Sequence, residues 1–165
     1  MRIVIDQREK LPYQFSGPKY ADVQVETGVL QTADYSLRGF ESRIGVERKT
    51  ADDLVSSISS RRARFERELE RGMGLEVFAV VVECDFLDIA RGKYTPKMWP
   101  KAACESILAL MQRYRCPFVF AHNRQGGEYA THGILRHFLR DVRSQYESLV
   151  KAHDEREVCD VETLF

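Results

Sequence analysis

The stretch VFAVVVE, residues 77 to 83, sets six apolar residues in a row before a single acid. A strand with one face in water alternates apolar and polar side chains, so a run without alternation is buried on both faces. The segment is predicted to be a central strand, which requires covering elements on both sides of a sheet. PFVFA, residues 117 to 121, is a second run of the same kind.

Shorter strand candidates come first in the chain. RIVID (residues 2 to 6) is apolar and ends in an acid, and ADVQVET sets Val23 and Val25 against Gln24 and Glu26, as a half-buried strand does. DYSLRGF and SRIGVE follow, with Gly39 suited to a turn between them. From Ala51 the period changes. Leu54, Val55, Ile58, Phe65 and Leu69 recur at helical spacing up to Gly72 and Gly74, which predicts one helix. A further helix is predicted over Pro100 to Tyr114, with Ala103, Ile107, Leu110, Met111 and Tyr114 on one face. HNRQGGEYATHG reads as a loop, and a last helix then carries Ile134, Leu135, Phe138, Leu139, Val142 and Leu149. In 165 residues this pattern predicts an α/β fold: a single domain with a mixed central β-sheet flanked by helices, over residues 1–150. Residues 151–165 form a polar C-terminal tail.

Twenty-five basic and 25 acidic side chains cancel, so any footprint for a nucleic acid must be local. No window approaches the roughly 18 apolar residues of a membrane span, and the start of the chain has no signal-peptide pattern. A cytoplasmic, nucleoid-associated or nuclear protein is expected, without a membrane partner. Cys84, Cys104, Cys116 and Cys159 are spaced like neither a zinc site nor a redox pair, and are read as reduced.

The acids are less ordinary. Asp6 closes the first strand, Asp34 opens the third, and Glu47 closes the fourth, with Glu9 three residues after Asp6. Strand-end carboxylates from separate segments meet in space, and their repulsion is relieved by a divalent cation. Lys49 lies two residues beyond Glu47, so on an extended segment both point to one side. An Asp followed by Glu-x-Lys is the skeleton of metal-dependent phosphodiester hydrolysis. Each residue also has a plainer reading. Thr50 and Asp53 fit the capping box of a helix, Asp6 fits a pair with Arg8 or Lys10, Asp34 ends a loop, and Arg48 sits on the surface.

Taken in order, IDQRE, ADY and VERKTADDL resemble the three signature segments of the XPF-type structure-specific DNA endonucleases: hydrophobic-D-x-R-E, G-D-Y and V-E-R-K-x-x-x-D-L. RFERE (residues 64 to 68) resembles the R-F-x-x-Q word that follows, and the likeness extends over about residues 1 to 145. It implies a restriction-endonuclease-like core of the PD-(D/E)xK kind, with Asp6, Glu9, Asp34, Glu47, Arg48, Lys49 and Asp53 as the active site. Asp34 and Glu47 would be the principal ligands of Mg²⁺ or Mn²⁺, with Asp6 and Glu9 close by and Lys49 as the catalytic ammonium. Arg61, Arg62 and Arg64 would take the DNA backbone, or else pair with Glu66 and its neighbours as a solvated helix face. The family pairs through its nuclease domains, so a homodimer is expected. The activity implied is cleavage of branched or single-strand-containing DNA in repair or recombination. The alternative is a catalytically silent DNA-binding or scaffolding subunit, although such copies lose the acids kept here. Ala33 stands where the family has glycine, and no tandem helix-hairpin-helix motifs follow.

Two further signals stand outside that pattern. YTPKMWPK sets Tyr94 and Trp99 among lysines, either as a platform for unpaired bases or as packing at a helix start. The terminal Leu164-Phe165 resembles peptides that dock on bacterial sliding clamps, although Val161 stands where their glutamine would be. His122 and His132, ten apart, fit no metal site.

Overall fold

The computed structural model describes residues 1–162, with side chains through His153. Six strands form one mixed sheet in the order β2-β1-β3-β4-β5-β6. They are β1 (Arg2–Asp6), β2 (Gln24–Gly28), β3 (Tyr35–Leu37), β4 (Ile44–Lys49), β5 (Val77–Val82) and β6 (Phe118–Phe120). β1 runs parallel to β2, while β3 is antiparallel to both β1 and β4. β4, β5 and β6 are mutually parallel. Parallel neighbours need crossover connections, and helices α1 (Ala51–Ile58), α2 (Arg62–Gly72), α3 (Phe86–Ala90) and α4 (Pro100–Tyr114) supply them. The sheet, these helices and the start of α5 (Arg124–Glu162) form one compact unit, Met1–Leu135; the rest of α5, from Arg136, forms another.

β5 is paired on both edges and its Ala79, Val80, Val81 and Val82 are at most 2% exposed, as the apolar run requires. One face of the sheet packs Val80 and Val82 against Leu54, Val55 and Ile58 of α1, Phe65 and Leu69 of α2, and Ile107 and Leu110 of α4. The other carries an aromatic cluster in which Tyr13 stacks on Tyr35 at 5.1 Å, edged by Phe15, with Tyr20 meeting His132 of α5 at 4.9 Å.

Four expectations change. β2 is not half-buried: it lies at the sheet edge, where only one neighbour covers it, and Val25 is 45% exposed. The helix expected from Ala51 to Gly72 is two helices. The Ser59 hydroxyl donates to the Val55 carbonyl at 2.6 Å and α1 ends there, because a serine that bonds the preceding turn competes with the helical ladder. α5 begins at Arg124, inside the stretch read as a loop. Its glycines are there for close approach: a Cβ on Gly126 would stand 1.9 Å from the Ala121 carbonyl oxygen, and one on Gly127 2.2 Å from the Tyr13 hydroxyl. Leu149, expected on the apolar face of the last helix, is 71% exposed. Among the described residues no helix is long and apolar enough to cross a membrane. The Leu164-Phe165 peptide lies outside the described residues.

The helical glycines give a paired prediction. Nothing stands within 4 Å of a Cβ on Gly133, so Gly133→Ala is expected to stabilise the protein by about 1 kcal/mol through helix propensity. Gly126→Ala, which drives a methyl into backbone, is expected to destabilise it by roughly 1–3 kcal/mol. Thermal melting of the two variants beside the parent measures both signs.

Candidate active site

Three segments distant in sequence are tied together by main-chain bonds. The Asp6 amide donates to the Asp34 carbonyl at 2.8 Å, and the Asp34 amide donates to the Val46 carbonyl at 3.1 Å. Asp34 thus lies where β1, β3 and β4 meet. Ala33 before it sits at φ 71, in the left-handed region that favours glycine, and aims the Asp34 side chain back at β4. There the Arg48 amide donates to Asp34 Oδ2 at 2.8 Å.

On β4 the pleat sorts Glu47, Arg48 and Lys49. Side chains alternate along a strand, so the first and third share a face and the second takes the other. Glu47 and Lys49 pair in register with Val80 and Val82, on the side covered by α1 and α2. They form an ion pair, 6% and 11% exposed, and the Lys49 ammonium lies 5.1 Å from the centroid of the Phe65 ring. The two open into a cavity of about 220 Å³, which Asp6, Asp34 and Glu68 also line. Arg8, Arg61, Arg64 and Arg71 stand around it.

The charge balance in this cavity is uneven. Burial raises the Asp34 carboxyl to about 6; the Arg48 amide and Lys49 oppose the shift, and Glu9 and Glu68 add to it. Burial also raises Glu47 well above the ordinary carboxylate range, with Asp34 and Glu68 adding to the rise against Lys49. Burial alone would depress Lys49, but Glu47, Glu68 and Asp34 hold its proton on and the net shift is upward. One ammonium therefore faces several carboxylates, and two of those are driven toward their protonated forms.

Arg48 turns to the opposite face and meets Glu83, the acid that ends the apolar run of β5. Arg48 Nε and Nη2 donate to the two Glu83 oxygens at 2.7 and 2.8 Å, and both side chains are 8% exposed. A two-pronged pair of this geometry fixes orientation as well as charge. The Arg48 guanidinium lies 5.6 Å from the centroid of the Tyr13 ring and reaches Glu9 Oε1 at 3.5 Å. Arg124 at the start of α5 approaches Glu83 at 3.6 Å and donates to the Leu11 and Pro12 carbonyls, which holds the loop after β1 in place.

The other expected residues divide. Asp6 lines the cavity, but its oxygens are already engaged: Arg8 Nε and the Arg8 amide donate to Oδ1, Arg8 Nη2 and the Leu30 amide to Oδ2. Glu9 does not line it; Glu9 accepts from the Leu11 amide and faces Arg48. Asp53 sits in the first turn of α1, where its amide donates to Thr50 Oγ1 and its carboxylate accepts from the Thr50 hydroxyl, the capping arrangement. Arg61 and Arg64 line the cavity, whereas Arg62 turns away to Glu66 at 2.9 Å and Ser106 at 3.4 Å. Glu68, Glu83, Arg71 and Arg124 were missed, while Arg8 was read only as a partner for Asp6, a pair the structure shows. Glu83 carried a signal, since an acid closing a central strand repeats the position of Asp6. Glu68 and Arg71 lie in a charged stretch where only the fold distinguishes one arginine or glutamate from the next, and Arg124 lies in a segment read as a loop.

Among the described residues no three His, Cys, Asp or Glu side chains gather closely enough to enclose an ion alone. Asp34 and Glu47 nevertheless fit a hard divalent cation. Mg²⁺ is ordinarily held by one or two carboxylates, with waters and substrate phosphates completing its shell, and carboxyls pushed toward protonation exchange protons for metal.

A six-stranded mixed sheet flanked by helices, with acids at its strand ends, has the restriction-endonuclease-like architecture of XPF nuclease domains. The chain belongs to the ERCC4 domain family, whose model matches residues 5–127. It is similar in structure to XPF from Aeropyrum pernix, with a TM-score of 0.62 and 22% identity over 87% of this chain and 69% of that one. A second structure, XPF from Aeropyrum pernix in complex with DNA, gives 0.61 and 21% identity over 85% of this chain and 66% of that one. The chain thus spans about two thirds of the structures it matches. No curated protein sequence matches it.

Two predictions follow from the bonding at the two faces. Glu83→Ala leaves the Arg48 guanidinium buried without its partner and is expected to cost about 3–5 kcal/mol, read from urea unfolding. For Asp6, burial pushes the carboxyl up, but the Arg8 side chain and the Leu30 and Arg8 amides outweigh burial, and the net shift is downward. Stability from this group is complete above the unfolded carboxylate value of about 3.9 and is lost as pH falls through the lower folded value. Asp6→Asn should remove that segment of the acid limb, so parent and variant unfolding free energies should differ above about pH 5 and converge as pH falls below the ordinary carboxylate value.

Proposed function

We propose that this chain is a metal-dependent, structure-specific endonuclease that hydrolyses phosphodiester bonds in branched or single-strand-containing DNA, in DNA repair or recombination. The observation that carries the reading is the meeting of Asp34, just before β3, with Glu47 and Lys49 of β4 in one cavity ringed by arginines. A relative of the same fold has been seen in complex with DNA, which supports DNA as the polymer.

Asp34 and Glu47 would hold Mg²⁺ or Mn²⁺, which when bound polarises a phosphate oxygen and lowers the pKa of water. Lys49, kept charged by the acids around it, stabilises negative charge growing on the phosphate in the transition state. Its seat against Phe65 and Glu47 fixes the ammonium beside the carboxylates. Arg48 acts at one remove: its amide orients Asp34, and its side chain is anchored on Glu83. Asp6 holds Arg8 at the rim, and Glu9 holds the far side of Arg48. Arg61 and Arg64 take flanking phosphates, which adds affinity without sequence preference. Arg62, bound to Glu66, serves the packing of α2 on α4. Asp53 supports the Thr50 cap of α1, the helix that starts two residues after Lys49. Tyr146, Leu149 and Val150 form an exposed apolar stripe at i, i+3 and i+4 on α5, a feature that supports pairing of two copies.

The test is cleavage of labelled fork, flap and duplex DNA with Mg²⁺, Mn²⁺ or EDTA. Asp34→Asn and Glu47→Gln should each lower the rate by several orders of magnitude while DNA binding persists or strengthens, because a negative charge facing phosphate is gone. Lys49→Ala should abolish turnover. Asp53→Asn should keep most of the rate and cost no more than about 1 kcal/mol of stability, since Thr50 remains the N-cap and an Asn side-chain oxygen can still accept from its hydroxyl. Variants at Asp34 and Glu47 that cut branched DNA as fast as the parent would end this reading.

A further inference from the structure

Trp99 is 84% exposed, an uncommon state for the most costly apolar side chain to leave in water. It does not pack at the start of α4. It protrudes beside Met98 and Pro100 at a concavity of about 270 Å³ that Lys97 also lines. Lys97 and Lys101 stand two residues to either side of Trp99 in the chain, both exposed, and no carboxylate lies in ion-pair range of either among the described residues.

The segment that presents the indole is held firmly. The Tyr94 hydroxyl donates to the Met98 carbonyl at 2.8 Å, and Tyr94 itself packs against the core, so the loop is pinned from inside. The Thr95 amide donates to Asp52 Oδ1 at 2.7 Å. Asp52 lies in the first turn of α1, three residues after Lys49. With successive Cα atoms 3.8 Å apart, Trp99 lies no more than about 35 Å along this path from the candidate site lysine. A rigidly held aromatic face between two unpaired cations matches the chemistry of a single nucleic-acid strand, with a base on the ring and phosphates on the ammonium groups. Duplex bases are stacked already and offer no free face to the indole.

We propose that Trp99, with Lys97 and Lys101, is a stacking platform for an unpaired base of single-stranded DNA, separate from the cavity of Asp34, Glu47 and Lys49. This inference rests on the DNA-cleaving reading above and names the part of the substrate that the chain holds away from the cut. It also assigns a source of affinity for strands that have left the duplex.

The chain has one tryptophan, so its fluorescence reports this residue alone. The full chain in EDTA is titrated with a single strand of about 16 nucleotides and with a blunt duplex of equal length, each end-labelled so that anisotropy gives binding independently. The single strand should quench Trp99, and the duplex should bind without quenching. Trp99→Ala, which removes an exposed side chain and leaves the core intact, should weaken single-strand binding about tenfold or more and leave duplex binding unchanged. Trp99→Phe should keep most of the single-strand affinity, because a ring remains. Single-strand binding without quenching, equal quenching by duplex, or full affinity in Trp99→Ala would overturn the platform, and the last result would assign the patch to a protein partner. Absence of binding to any DNA would overturn it together with the nuclease reading, whereas binding and cleavage without quenching would remove the platform alone.

Discussion

The pleat of β4, locked in parallel register against β5, is the constraint on which the rest of the site depends. Pairing of Glu47, Arg48 and Lys49 with Val80, Val81 and Val82 settles which face each charge takes. Glu47 and Lys49 are delivered to the side where α2 brings Phe65 and Glu68, and Arg48 to the side where Tyr13 and Glu83 wait. A slip of one residue would exchange the two groups and bury the Arg48 charge among apolar side chains. One tripeptide therefore supplies both the charges of the cavity and the arginine anchored on the opposite face.

The two faces differ in how their charges are satisfied. Around Arg48 the balance is complete, since Glu83 answers it with two hydrogen bonds and Glu9 adds a third contact. Around Lys49 the acids are crowded rather than matched one to one, since Asp34, Glu47 and Glu68 share a cavity with one buried ammonium while the arginines stand around it. Burying like charges is unfavourable, and a fold tolerates it only where the surroundings are already rigid. Here the rigidity comes from the apolar packing of β5 with α1, α2 and α4, together with the main-chain bonds through Asp34.

Relatives at 21–22% identity share this architecture, and at that distance the likeness speaks for the fold alone. Function has to be argued from the site. The observations that favour chemistry over scaffolding are local: the acids are present, they face one another, and a lysine of raised proton affinity lies among them. Positive charge is also local in a chain whose formal net charge is zero, gathered at Arg61 before α2, at Arg64 and Arg71 on α2, and on the loop before α4 at Lys97.

By itself the sequence determined whatever depends on neighbours a few positions away. The unbroken apolar run 77–82 marked the inner strand, the spacing over Pro100–Tyr114 marked α4, and Asp6, Asp34 and Glu47 stood out as acids beside apolar strand runs, although β4 continues past Glu47 to Lys49. Glu47 and Lys49 fell on one face because strand geometry is periodic. Tertiary structure decided the rest, through pairings between segments that local pattern does not encode. It made β2 an edge, ended α1 at Ser59, and started α5 at Arg124 because Gly126 and Gly127 admit Ala121 and Tyr13 at close range. It chose Arg61 and Arg64 over Arg62, brought in Glu68 and Glu83, and left Trp99 in water. A side chain's chemistry is written in the sequence, but its partner is chosen by register and packing across the fold.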